Sequence, residues 1–223
     1  MARYTGAVCK LCRRETVKLF LKGDRCYSDK CPIEKGASLP GKNVKKTRIR
    51  KLSTYGVRLR EKHKLRKYYG LLEKQFKNLF KKAEKKKGVT GENFLELLER
   101  RLDNIVYRFG ITKSRAHARQ LVLHSHILVN GKKVNIPSYQ LDINDVIEIK
   151  KKSGNIENIK EIKEGKIEVS IPSWLEFDFE NLKGKIIKFP SKEELNLPVE
   201  EKLVVEYYSR NIFGFPIPKE GEY

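Results

Sequence analysis

All four cysteines of this 223-residue chain fall within its first 31 positions, as Cys9-x2-Cys12-x13-Cys26-x4-Cys31. Two close pairs separated by a loop bring four soft sulfurs to one point, which is the donor set of a structural tetrahedral zinc site. With four thiolates bound, no coordination position stays open for water or substrate, so the ion would organise the fold and perform no reaction. Two disulfides, or four free thiols, are the competing readings. Met1-Ala2-Arg3-Tyr4-Thr5-Gly6 lacks the apolar core and small-residue cleavage pattern of a secretory signal, so nothing marks an oxidising compartment. Val8, Leu11, Val17, Leu19, Phe20 and Leu21 form too small an apolar set to hold the stretch together without the metal.

The formal charge of +21 is concentrated in one part of the chain. Residues 1–90 hold 28 Lys and Arg against 7 Asp and Glu, residues 91–150 hold 9 against 7, and residues 151–223 hold 12 against 14. Like charges crowded into one region repel, so this excess points to a polyanion that neutralises it, with nucleic acid the leading candidate. No long apolar span reads as a membrane crossing, and the basic helices lack the broad apolar face of a membrane-surface helix. Tyr55, His63, Tyr68 and Tyr69 are interleaved with the cations, which suits stacking on unpaired RNA bases. Each of these tyrosines, taken alone, also reads as an ordinary core or boundary residue.

Along the chain, residues 32–54 read as irregular linker with a charge run from Lys42 to Lys51. Two helices follow, Tyr55 to Gly70 and Leu71 to Lys87, the second with Leu72, Phe76, Leu79, Phe80 and Ala83 at helical spacing. Gly88-Val89-Thr90-Gly91 marks a domain boundary. A single helix is expected from Glu92 to about Phe109 with Gly110 as its C-cap, and a second from the N-cap Ser114. Asn130-Gly131, between Ile127-Leu128-Val129 and Lys132-Lys133-Val134, predicts a β-hairpin, with a third strand at Asp145 to Ile149. Beyond Lys152 the spacing suggests a strand over Lys166 to Ile171, Trp174 as a packing anchor, and a helix over 198–210 with Pro198 in its first turn. Its apolar face carries Val199, Leu203, Val204, Tyr207 and Tyr208, and an extended tail is expected from Asn211 to Tyr223.

Cys9-Lys10-Leu11-Cys12-Arg13-Arg14 and Lys22-Gly23-Asp24-Arg25-Cys26-Tyr27-Ser28 resemble the N-terminus of the zinc-bearing form of the bacterial-type small-ribosomal-subunit protein four family. The resemblance continues through Tyr55 to Lys62, Leu97 to Asn104, Ser114-Arg115-Ala116, Ala118 to Val122, Val129 to Lys132, Val134 to Tyr139 and Glu206 to Arg210. It implies an α+β fold in which a zinc segment and basic helical domain carry an inserted αL-type RNA-binding module of two helices and a small sheet. The expected division is 1–54 zinc segment and linker, 55–91 basic helices, 92–165 αL module, 166–210 C-terminal segment with a helix returning to the helical domain, and 211–223 tail. The implied role is a cytoplasmic ribosomal component that binds the 5′ domain of small-subunit rRNA, nucleates assembly of the subunit body and contacts neighbouring protein five. No small-molecule substrate is implied.

Candidate metal ligands are Cys9, Cys12, Cys26 and Cys31, with one structural Zn2+ as the cofactor. Candidate RNA contacts near them are Arg3, Lys10, Arg13, Arg14, Lys22 and Arg25. The linker offers Lys42, Lys45, Lys46, Arg48, Arg50 and Lys51. The first basic helix offers Arg58, Lys62, His63, Arg66, Lys67 and Tyr68. The αL-type module offers Arg115, Arg119, His124, His126, Asn130 and Lys132. An enzyme reading rests on Arg101-Leu102-Asp103, which resembles the signature around the catalytic aspartate of pseudouridine synthases that carry the same module. It is set aside because the pattern does not continue and no catalytic domain is left over; Asp103 is expected as a surface carboxylate facing Arg100 or Tyr107. A free regulatory RNA binder is the second class of function.

Overall fold

A computed structural model describes residues 2–41, 52–150, 170–195 and 197–212. The charge run 42–51, most of the expected strand 166–171 and residues 213–223 lie outside these. The helices are α1 (Val8–Glu15), α2 (Thr54–Tyr68), α3 (Glu73–Glu84), α4 (Thr90–Glu99), α5 (Leu102–Arg108), α6 (Arg115–Leu123) and α7 (Glu201–Ile212). The strands are β1 (Ile127–Val129), β2 (Lys132–Lys133), β3 (Val146–Ile149), β4 (Leu175–Asp178) and β5 (Lys183–Ile186). No helix among the described residues is long and apolar enough to cross a membrane.

Local signals set most of these elements. The Ser53 hydroxyl accepts from the Gly56 amide to open α2, and Ser114 accepts from His117 to open α6. Asn130 and Gly131 both take positive φ, 49° and 74°, the backbone a tight type I′ hairpin requires between β1 and β2.

The single helix expected from Glu92 to Phe109 is two helices. Arg101 is extended, and the Leu102 and Asp103 amides donate to Tyr139 and Pro137 carbonyls at 2.9 and 3.2 Å instead of to the preceding turn. Arg100 Nε reaches the Leu141 carbonyl at 2.8 Å. Tertiary hydrogen bonds thus outcompete a helical register that the apolar spacing alone would continue.

All five strands form one antiparallel sheet of order β2-β1-β3-β5-β4. The division at 165/166 therefore separates β4 and β5 from the sheet they complete; they cover the β3 edge that a three-stranded module would leave unpaired. One sheet face carries Ile127, Val129, Ile147, Ile149, Leu175, Phe177 and Ile186 and packs beneath α5 and α6. Trp174 is buried in this core, as expected of an anchor. Gly184 is required there, since a Cβ would stand 2.6 Å from the Phe177 ring and 2.7 Å from the Phe109 ring.

A second core joins α2, α3, α4 and α7 around Leu65, Phe76, Phe80, Phe94, Leu98 and Tyr208. α7 runs antiparallel to α2, with Arg58 on Glu206 at 2.6 Å and the Glu200 amide on Glu61 at 3.3 Å. It starts at Glu201, so Pro198 precedes the first turn, and it includes Asn211 and Ile212, which the sequence assigned to the tail.

Candidate nucleic-acid interface

Residues 2–41 belong to neither core: their only buried apolar side chains are Leu19, Cys12, Cys26 and Cys31. Burial pushes the Cys12 thiol up from its ordinary value and the other three cysteines add to the shift, so the four sulfurs share one neighbourhood. The Lys22 amide points at Cys26 Sγ, 3.3 Å away. Among the described residues, no three Cys, His, Asp or Glu side chains converge into a metal-holding group. What fits an ion here is the donor chemistry, four soft thiols in a segment with almost no other core. The segment is docked by buried Glu15, which takes Lys67 at 2.6 Å and Arg60 at 3.5 Å. It is docked again by Gly23, whose positive φ lets its backbone approach the Lys113 carbonyl where a Cβ would be 2.7 Å away. Arg3, Lys10, Arg14, Lys22 and Arg25 are exposed, while Arg13 donates to the Ser38 carbonyl at 3.1 Å.

The Lys and Arg candidates on α2 carry ion pairs inside the protein. Arg58 pairs with Glu206, Lys62 and Arg66 with Glu73 at 2.9 and 2.6 Å, and Lys67 with Glu15. The reason is position: α2 is flanked by α1 and α7, so most of its faces meet protein. Tyr68 is buried, Tyr69 donates to Glu99 at 2.5 Å, and Tyr55 packs 5.8 Å from the Tyr207 ring. Tyr55 and Tyr69 are thus packed within the protein, while the Tyr68 ring keeps an edge on a cavity. His63 is no cation. Burial first, then Lys62, Arg66, Lys67 and Arg60, hold its pKa down at about 3. Because the unfolded chain binds this proton and the folded chain does not, stability is complete above pH 6.5 and declines as pH falls toward 3. Between pH 6.5 and 5 the loss through His63 should approach 2 kcal/mol, with half-buried His117 adding in the same direction. Urea titrations across this range should give a visibly shallower pH slope for His63→Gln; identical slopes would contradict the assignment.

In the module, Arg115 and Arg119 are buried rather than surface contacts. Arg115 Nε donates to Asn104 Oδ1 at 2.9 Å and its guanidinium lies 3.9 Å from the Tyr68 ring centre and 4.4 Å from that of Tyr107. Arg119 reaches Asp103 at 3.1 Å. Asp103 is itself buried, gripped by Arg101 at 3.0 and 2.7 Å, so it is not the surface carboxylate expected from the sequence. Asn130 staples the hairpin to β3, donating to Asp145 at 2.8 Å and accepting from the Val146 amide at 2.9 Å. Lys132 and His124 are exposed and His126 half-buried, the two imidazoles lying parallel with centres 6.2 Å apart.

A further cationic surface, beyond the candidates named from the sequence, lies on α3. Lys74, Lys77, Lys81 and Lys82, with Lys85 and Lys87 beyond, are exposed and have no ion-pair partner among the described residues, while Phe76, Leu79, Phe80 and Ala83 turn inward. The signal was present in the periodicity, since helical spacing that buries the apolar residues leaves these lysines on the other face.

Residues 3–99 match the family described as ribosomal protein S4/S9 N-terminal domain, and residues 100–147 match the S4 domain. Among similar curated proteins, small ribosomal subunit protein uS4 of Natranaerobius thermophilus is 53% identical over 210 residues, covering 94% of this chain and 100% of its own length. The uS4 protein of Halothermothrix orenii and uS4A of Symbiobacterium thermophilum are each 54% identical with the same coverage.

Proposed function

The chain belongs to the uS4 family of small ribosomal subunit proteins, and from that premise we propose that it is a structural, rRNA-binding component of the bacterial small subunit, acting within cytoplasmic ribosomes. Near-full-length similarity to proteins of that name carries the reading. Exposed cations on α1, around the cysteines and along α3 would neutralise phosphates and release their counterions. The internal ion pairs of α2 serve the same end indirectly, by fixing the helices that present those cations. Engagement of Asp103 by Arg101 and Arg119 supports a structural role for that carboxylate and gives no support to a catalytic one.

The finer reading has three parts. The RNA target is the 5′ domain of small-subunit rRNA, where binding nucleates the subunit body. The adjoining protein partner is protein five. Cys9, Cys12, Cys26 and Cys31 would hold one structural Zn2+, which supplies cross-linking of the N-terminal segment and no reaction. For the scaffold role, the native protein should comigrate with small subunits in sucrose gradients at near one copy each. Recovery only in free RNA–protein complexes would favour the regulatory alternative instead.

A further inference from the structure

Between α1, the C-terminal end of α2 and the start of α6 lies a cavity of about 240 Å3. Its lining is apolar at Leu11, Phe20 and Leu21 and cationic at Arg115 and Arg119, and the Tyr68 ring, which the Arg115 guanidinium overlies at 3.9 Å, lines it too. Those arginines are only 9% and 5% exposed, yet each is only partly satisfied. Arg115 Nη2 and Arg119 Nε and Nη2 are buried and meet no acceptor among the described residues. Asp103 also lines the cavity, but its carboxylate already receives two bonds from Arg101 and one from Arg119, so one anion is shared between two guanidinium groups. Arg3 at the cavity adds a further cation, and α6 begins there with the positive end of its dipole. Buried guanidinium N–H groups without acceptors are costly, and an oxyanion from outside removes the cost.

The remainder of the cavity suits a flat ring. Phe20 and Tyr68 line it, and Tyr27, 73% exposed, holds its ring 5.2 Å from that of Phe20. An oxyanion joined to a planar base is a nucleotide. Resting on the rRNA-binding reading above, we propose that this cavity receives one unpaired nucleotide of the bound RNA, its phosphate on Arg115 and Arg119 and its base against the Phe20, Leu21 and Tyr68 wall. The site lies where the cysteine segment meets the S4 module, so the inserted nucleotide would clamp the two together.

Ala116 is exposed at the cavity, in the first turn of α6, so Ala116→Glu places a carboxylate before the arginines without removing either. The full-length variant should melt at or above the wild-type temperature and bind small-subunit rRNA about tenfold more weakly. Photocrosslinking wild-type protein to 4-thiouridine-substituted rRNA should give adducts on Phe20, Leu21 or Tyr68 that the variant loses. A folded variant with unchanged affinity, or adducts confined to the α1 and α3 surface, would overturn the nucleotide site while leaving rRNA binding intact. Saturable binding of uridine monophosphate without those rRNA adducts would assign the cavity to a free nucleotide and overturn it too. Failure of the wild-type protein to bind rRNA would overturn both readings together.

Discussion

Replacing Glu99 by Ala is expected to destabilise the protein by about 3–5 kcal/mol, the usual effect of removing one partner from a buried ion pair. Glu99 is fully buried at the end of α4 and accepts Arg108 at 3.0 and 2.7 Å, Asn104 at 2.5 Å and Tyr69 at 2.5 Å. Burial alone would raise its pKa, but Arg108 outweighs it, helped by Arg115 and Tyr69, and the carboxyl is held below its ordinary range. Its contribution is therefore present above the unfolded value and lost as pH falls through the folded one. Without it Arg108 becomes a half-buried unpaired cation, and Asn104, which supports Arg115, keeps only its bond to the residue-99 carbonyl at 3.1 Å. The residue stands where the helical core meets the sheet core, so both should loosen. Urea unfolding monitored at Trp174 and by overall helicity would measure the effect. A midpoint within error of wild type would show that the network contributes little.

Cys26→Ser should have an equally large but local effect. The only apolar side chains that residues 2–41 bury are Leu19 and three cysteines, so cross-linking by a metal is their main source of order under the zinc reading. Native-state hydrogen exchange should lose protection across α1 and the Gly23–Cys26 turn while the sheet and the α2–α3–α4–α7 core keep theirs. Intact native mass should show one zinc in wild type and none in the variant. Unchanged protection with no bound metal in wild type would remove zinc from the account.

Elements with a strong local signal were legible from the residues: the hairpin from Asn130-Gly131, the α6 start from Ser114, the inward face of α3 from its spacing. What escaped was decided at a distance. The break at Arg101 depends on carbonyls of residues 137 and 139, and β5 on pairing with β3 across the chain. The same limit applied to the candidate contacts. Counting Lys and Arg located the basic region correctly, but composition cannot tell a cation facing solvent from one facing Glu206, Glu73 or Asp103. Residue type alone therefore places Arg58, Lys62, Arg115 and Arg119 among the RNA contacts without showing their internal partners, and it gives the α3 lysines no special weight.

Emergence from a translating ribosome presents the two cores late. β3 waits for Lys183–Ile186 before its second edge is covered, and α2 waits for α7, with Arg58 and Glu206 separated by 148 positions. Almost the whole polypeptide must leave the exit tunnel before either core can close, so nascent chains expose their aromatic interiors until synthesis is nearly finished.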